Sequence, residues 1–147
     1  MAARSDSTSP SADPFTVRRT FTSPPARVFR AWTSPEELKR WHSPGDVTLA
    51  EVDLRVGGRY RIHMRTPDGK EHRVGGVYRA VDAPRTLSYT WQWDGDPNES
   101  LVTVEFVPKG TGTELVLTHS GFPNAEARMH HEQGWVALVD KLAKAVV

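Results

Sequence analysis

The chain contains no cysteine, which excludes disulfides, thiolate nucleophiles and cysteine-held metals. It has no apolar run approaching the roughly 20 residues of a membrane span. It has almost no excess of charge: 19 Lys and Arg stand against 18 Asp and Glu, a formal net charge of +1. That balance argues against a general binder of nucleic acid or of membrane surfaces. Signatures of hydrolysis and of phosphate binding are also missing. There is no HExxH motif, no histidine pair at i, i+4, and no GxSxG elbow. Gly57-Gly58 and Gly75-Gly76 sit beside strands with no helix following, so neither reads as a phosphate loop. Residues 1–14 are rich in Ser, Ala, Asp and Pro and hold no apolar signal core. We read residues 1–13 as a disordered tail and expect a cytoplasmic protein.

What is present is an ordinary globular composition, 37% hydrophobic and 25% charged over 147 residues. Residues 14–147 suffice for one domain with a sizeable core. The longest regular stretch is 125–146. His131, Trp135, Leu138 and Leu142 recur there at spacings of three and four, which predicts one long helix apolar along a stripe. Pro123 lies where an incoming helix tolerates proline. Gly134 costs about 1 kcal/mol in helix propensity, so something is expected to approach closely there.

The remainder reads as a cover for that stripe. Phe15, Val17 and Phe21 alternate with polar residues in a first strand. Pro24-Pro25 opens a short helix with Val28, Phe29 and Trp32 inward. Ser34-Pro35-Glu36-Glu37 reads as a capping box starting a second short helix. Six strands follow, over 47–52, 59–66, 71–81, 86–93, 101–107 and 113–119. Their connections are short and rich in Pro, Gly and Asp, which predicts an antiparallel meander.

Alternation turns this order into a map. Tyr60, Ile62 and Met64 share the inner face; Arg59, Arg61 and Arg65 share the outer one with Arg73 and Arg79. A symmetric turn at Asp68-Gly69 pairs Tyr60 with Gly76. A symmetric turn at Pro84 pairs Gly76 with Trp91 and Tyr78 with Tyr89. Continuing across, Trp91 meets Val102, and a bulge at Gly110 or Gly112 sets Val102 beside His119. The inner face is therefore ring-rich, and Gly76 leaves space beside Trp91. Such a surface packs on the helix at some depths and lines a cavity at others. The expected lining is Tyr60, Met64, Gly76, Tyr78, Tyr89, Trp91, Val102 and His119, closed by Trp135, with Trp41 near the mouth. No metal site is expected, because His130 and His131 point about 100° apart on a helix. His119 is the one inward histidine able to contact a ligand or serve as an acid or base.

Several stretches together resemble a known family. Ala31-Trp32-Thr33-Ser34-Pro35-Glu36 with Trp41 and Pro44, Asp53-Leu54-Arg55-Val56-Gly57-Gly58-Arg59-Tyr60, Gly76-Val77-Tyr78, Pro84-Arg85-Thr86-Leu87, Tyr89-Thr90-Trp91 and Gly134-Trp135 are similar to the activator of heat-shock protein 90 ATPase homologue family. That family lies within the START-like, polyketide-cyclase-like superfamily. The resemblance implies an α+β helix-grip fold: a curved antiparallel β-sheet wrapped around a long C-terminal helix, with two short helices after the first strand. It also implies an apolar cavity between sheet and helix. His42-Ser43 departs from members that carry a second Trp and a Gly there.

Three functions follow as expectations. The first is binding of a small hydrophobic molecule between sheet and helix, with no cofactor, by a monomer or homodimer. The second is a cyclase or hydrolase acting on an aromatic or polyketide-like substrate, with His119 as acid or base and Tyr60 or Tyr78 assisting. No nucleophile has an evident base, so the reading leans away from an enzyme. The third is regulation of a chaperone ATPase, as the family's name suggests, through the outer arginines.

Overall fold

The computed structural model describes residues 12–146. Strand β1 (Phe15–Phe21) leads into helix α1 (Pro25–Thr33) and the single turn α2 (Pro35–Leu38). Six strands follow: β2 (Asp46–Val52), β3 (Arg59–Arg65), β4 (Glu71–Asp82), β5 (Thr86–Trp93), β6 (Ser100–Lys109) and β7 (Gly112–Ser120). Helix α3 (Ala125–Ala145) ends the fold. The strands form one antiparallel seven-stranded sheet in the order β1-β7-β6-β5-β4-β3-β2. This is the expected helix-grip arrangement of sheet, long helix and two short helices. The expected tail falls outside the described residues except at its end. There Ala12 packs on the core, and the Asp13 carbonyl accepts from Arg128 Nε at 2.8 Å.

Local chemistry accounts for the boundaries. Pro25 occupies the first turn of α1, where its missing N–H costs nothing. Asn124 caps α3, its side chain accepting from the Ala127 N–H at 2.8 Å. Pro123 therefore precedes the cap instead of opening the first turn. The capping box expected at Ser34 does not close. The Ser34 hydroxyl bonds Glu36 Oε1 at 3.3 Å, because Ser34 also ends α1 and its N–H donates to the Arg30 carbonyl.

Register decides which side chains meet. Tyr60 pairs with Gly76, Ile62 with Val74 and Tyr78 with Tyr89, as the alternation indicated. The β5–β6 hairpin differs from expectation by two residues: Tyr89 meets Val102, and Trp91 meets Ser100. A two-residue slip preserves the face, so the inner set survives. Val102 does pair with His119, but through a regular two-residue turn at Gly110-Thr111. The irregularity in this half of the sheet lies between Tyr78 and Ala80 instead.

Four indoles cluster where α3 meets the sheet. Trp32 and Trp41 have centroids 4.7 Å apart, Trp32 and Trp135 5.9 Å, and Trp91 and Trp135 5.1 Å. Trp135, Leu138, Val139 and Leu142 form the buried stripe of α3, and His131 is only half-buried. The helix approaches the sheet most closely at β1. Toward β3, β4 and β5 the interval is bridged by rings.

Candidate functional site

Where the rings run out, the interval stays open. A recess of about 400 Å³ lies between the first half of α3 and strands β3 to β5. Met64, His72, Trp91 and Trp93 form its sheet wall; His130, His131, Gly134, Trp135 and Leu138 form its helix wall; Pro44 closes one end. The size suits a small organic molecule. The lining contains no Asp, Glu, Lys or Arg.

Of the residues expected to line a cavity, Met64, Trp91 and Trp135 are in this recess. The others are elsewhere. Tyr60, Tyr78 and Tyr89 close around a void of only about 10 Å³ with Trp32 and His42, roughly the space of a single probe-sized water. Trp32 Nε1 donates to the Tyr89 hydroxyl at 3.0 Å. Burial pushes the pKa of all three phenols up, so they stay protonated near neutral pH. Trp41 is fully buried, its Nε1 donating to the Ala31 carbonyl at 2.9 Å, and it is not at the mouth. Val102 is fully buried too.

Gly76 does not leave space beside Trp91. A Cβ placed there would lie 2.0 Å from the Thr90 carbonyl oxygen and 2.6 Å from Thr90 Oγ1. The Tyr60 hydroxyl donates to that same carbonyl at 2.6 Å. The glycine permits backbone approach, not a cavity. Gly134 is the opposite case: an added Cβ would meet nothing within 4 Å, so no part of the chain approaches it, and its missing side chain enlarges the recess.

His119 is fully buried and outside the recess lining. Its Nδ1 receives the Trp135 indole N–H at 3.0 Å, and its Nε2 lies 2.7 Å from the Ser100 hydroxyl. An indole can only donate, so Nδ1 carries no proton and Nε2–H donates to Ser100. Ser100 in turn donates to the Trp91 carbonyl at 3.2 Å. Burial, reinforced by nearby His131, holds this imidazole down at about 3. With both nitrogens engaged it offers no acid–base group near neutral pH, so the enzyme reading loses its named residue. His42, which the sequence reading noted only as a departure, is also buried; burial lowers its pKa to about 4.

The expected lining omits Pro44, His72, Trp93, His130, His131, Gly134 and Leu138. His131 was assigned to the apolar stripe, yet it is polar and paired. Its Nδ1–H donates to the Ala127 carbonyl at 2.6 Å, and its Nε2 accepts from Trp93 Nε1 at 2.9 Å. Trp93 thereby ties the end of β5 to α3. Lys141 donates to the Ser43 and Gly45 carbonyls at 2.6 and 3.3 Å, which fixes the loop that carries Pro44. Its i+3 spacing from Leu138 carried no sign of a carbonyl partner 98 residues away.

The outer arginines are exposed as expected. Arg61 lies 3.6 Å from Glu51, and Arg73 3.1 Å from Glu71. A larger hollow of about 620 Å³ lies on this outer side, between Arg59 and Arg61 and the loop bearing Asp94, Asp96 and Glu99. Its rim charges are of both signs, and among its lining residues only Tyr60 and Trp93 carry rings.

Sheet, gripped helix and intervening recess define a helix-grip α+β domain. The model of the family described as activator of Hsp90 ATPase homolog 1-like protein matches residues 22–147, and the chain belongs to that family. No curated protein matches the chain. Among solved structures, a protein from Chromobacterium violaceum is 28% identical with a TM-score of 0.85, the match covering 92% of this chain and 98% of that one. A Mesorhizobium loti protein is 30% identical with a TM-score of 0.75, covering 90% and 95%. A Plasmodium falciparum protein described as an HSP90 activator is 27% identical with a TM-score of 0.72, covering 88% and 93%. Among the described residues no helix is long and apolar enough to cross a membrane.

Proposed function

We propose that the protein binds a small hydrophobic molecule in the recess beneath the first half of α3. The observation that carries this reading is a 400 Å³ hollow walled by three indoles and a thioether, with no formally charged lining residue. A closed domain has no folding reason to leave that much apolar wall uncovered, since filling it would add favourable burial. Trp91 and Trp93 meet at 5.4 Å and 89°. A flat ring lying on one of them presents its edge to the other, an arrangement that aromatic quadrupoles favour.

Titration of tryptophan fluorescence with a neutral naphthalene-sized probe tests the reading. Saturable quenching that Gly134→Leu abolishes, with the fold intact by circular dichroism, supports it. Absence of any response across aromatic and aliphatic probes, with no co-purifying molecule by native mass spectrometry, overturns it.

A second reading is regulation of a chaperone ATPase. Its support is the solved relative described as an HSP90 activator. It would act through the surface, where Leu54 and Val56 are 40% and 63% exposed near the outer arginines. Pull-down of the chaperone, together with its ATPase rate, separates the two readings.

A further inference from the structure

Two hollows meet at the end of β5. Beyond Trp93 from the 400 Å³ recess lies a second hollow of about 40 Å³. Both are lined by Trp91, Trp93 and His131. The wall between them is therefore made of side chains, and the Trp93–His131 hydrogen bond of 2.9 Å holds it shut. Both side chains are half-buried. Such a pair can part by rotamer change, without moving the sheet.

The far side of the wall differs in chemistry. Asp96, Asn98 and Ser100 line the small hollow. The Ser100 hydroxyl is committed to His119 and to the Trp91 carbonyl. Asp96 uses one carboxylate oxygen for the N–H and the side-chain amide of Asn98, at 2.9 and 3.0 Å. Its other oxygen has no hydrogen bond, and Asp96 joins no ion pair among the described residues. Its charge is felt at His131, where it opposes the lowering that burial causes. A recess without formal charge thus ends one side chain short of a carboxylate that forms no ion pair, although its loop also faces Arg59 and Arg61 across the outer hollow. A volume of about 40 Å³ holds a group little larger than one water. Indole faces along the approach attract cations as well.

Resting on the binding reading above, we propose that the ligand is a flat aromatic molecule bearing a primary ammonium on a short arm. The ring system lies against Trp91, Trp135 and Met64. The arm passes the Trp93–His131 pair, and the ammonium donates to Asp96.

Two probes of equal shape test this: 2-(2-naphthyl)ethylamine and 2-(2-naphthyl)ethanol, titrated by fluorescence and calorimetry at neutral pH. The expected result is at least tenfold tighter binding of the amine, a preference that shrinks as salt is raised. Asp96→Asn keeps an acceptor for Asn98 and should erase the preference while leaving affinity for the alcohol unchanged. Trp93→Phe, which removes the donor of the closing bond, should raise the association rate of the amine severalfold. Equal affinity of the two probes for the wild-type protein overturns the ammonium assignment and leaves the recess reading standing. A preference that survives Asp96→Asn also overturns it. If neither naphthalene binds, the ammonium assignment falls, and the aliphatic probes with native mass spectrometry decide the recess reading.

Discussion

The two ends of the helix–sheet interface obey different rules. From Trp135 through His119 the polar side chains form one chain: indole to imidazole, imidazole to hydroxyl, hydroxyl to carbonyl. Beneath His130, Gly134 and Leu138 the same helix stands away from the sheet over an open apolar floor. The first end holds polar groups in a chain whose members cannot be removed singly without stranding a partner. The second end gives up burial and keeps space. Committed polar groups and open space thus meet on one stretch of helix, with Trp135 at the junction, its ring facing the recess and its N–H facing His119.

The largest test of the contrast is acid. Burial lowers the pKa of His42 to about 4 and of His119 to about 3, against 6.5 when unperturbed, so both are neutral in the fold above these values. Between these values the unfolded chain binds more protons, so stability falls as pH drops below about 6.5 and stops falling once each folded value is passed. Each group contributes a loss of about 1.4 kcal/mol per pH unit. Urea titrations from pH 7 to pH 4 should show this slope. His119→Gln, which keeps a buried donor and acceptor but does not titrate, should roughly halve it, leaving the contribution of His42.

Trp135→Ala should cost roughly 3–5 kcal/mol, through lost burial and a residual cavity. A neutral result by chemical denaturation would remove Trp135 from the junction. Gly76→Ala should cost on the order of 3 kcal/mol, because its Cβ would overlap the Thr90 carbonyl. Thermal melting measures this; a near-neutral outcome would return Gly76 to the role of cavity floor. Gly134→Ala belongs to the open end and should raise stability by up to about 1 kcal/mol through helix propensity. Loss of stability would mean that α3 is crowded there after all. The smallest effect is expected at Arg61→Ala, under about 1 kcal/mol, since its partner Glu51 is equally exposed.

Much of this was legible beforehand. The period of two in Tyr60, Ile62 and Met64, and of three and four in Trp135, Leu138 and Leu142, reports burial directly, and the element boundaries follow it closely. The candidate site was only partly legible, and for a different reason. Periodicity states that a side chain points inward; it does not state whether the facing volume is filled. Tyr60 and Met64 share one strand face, yet Tyr60 is locked onto the Thr90 carbonyl and Met64 borders open space. Gly76 and Gly134 likewise look equivalent as missing side chains, and only the distance to the opposing backbone separates them. The pairing of His131 with Trp93 is not legible because it spans 38 residues, and no local pattern encodes such a bond. The two-residue slip at Trp91 arose in the loop at Asp94–Glu99, where the side chain of Gln92 bonds the Asp96 carbonyl and advances the first strand pair.

Gly134 has one further consequence, which concerns time. C-terminal to it, α3 is fastened at several points: Asp140 to Arg19, Lys141 to two loop carbonyls, the Ala145 carbonyl to Arg27 and the Val146 carbonyl to Ser23. N-terminal to it, the fastenings are the Asn124 cap, Arg128 on the Asp13 carbonyl and the Trp93–His131 bond. A glycine in mid-helix is the residue at which helical order is most cheaply interrupted. The helix should therefore keep two clocks, its first three turns opening and reclosing many times while the last three stay shut. Amide hydrogens of residues 128–134 should exchange well before those of residues 138–145.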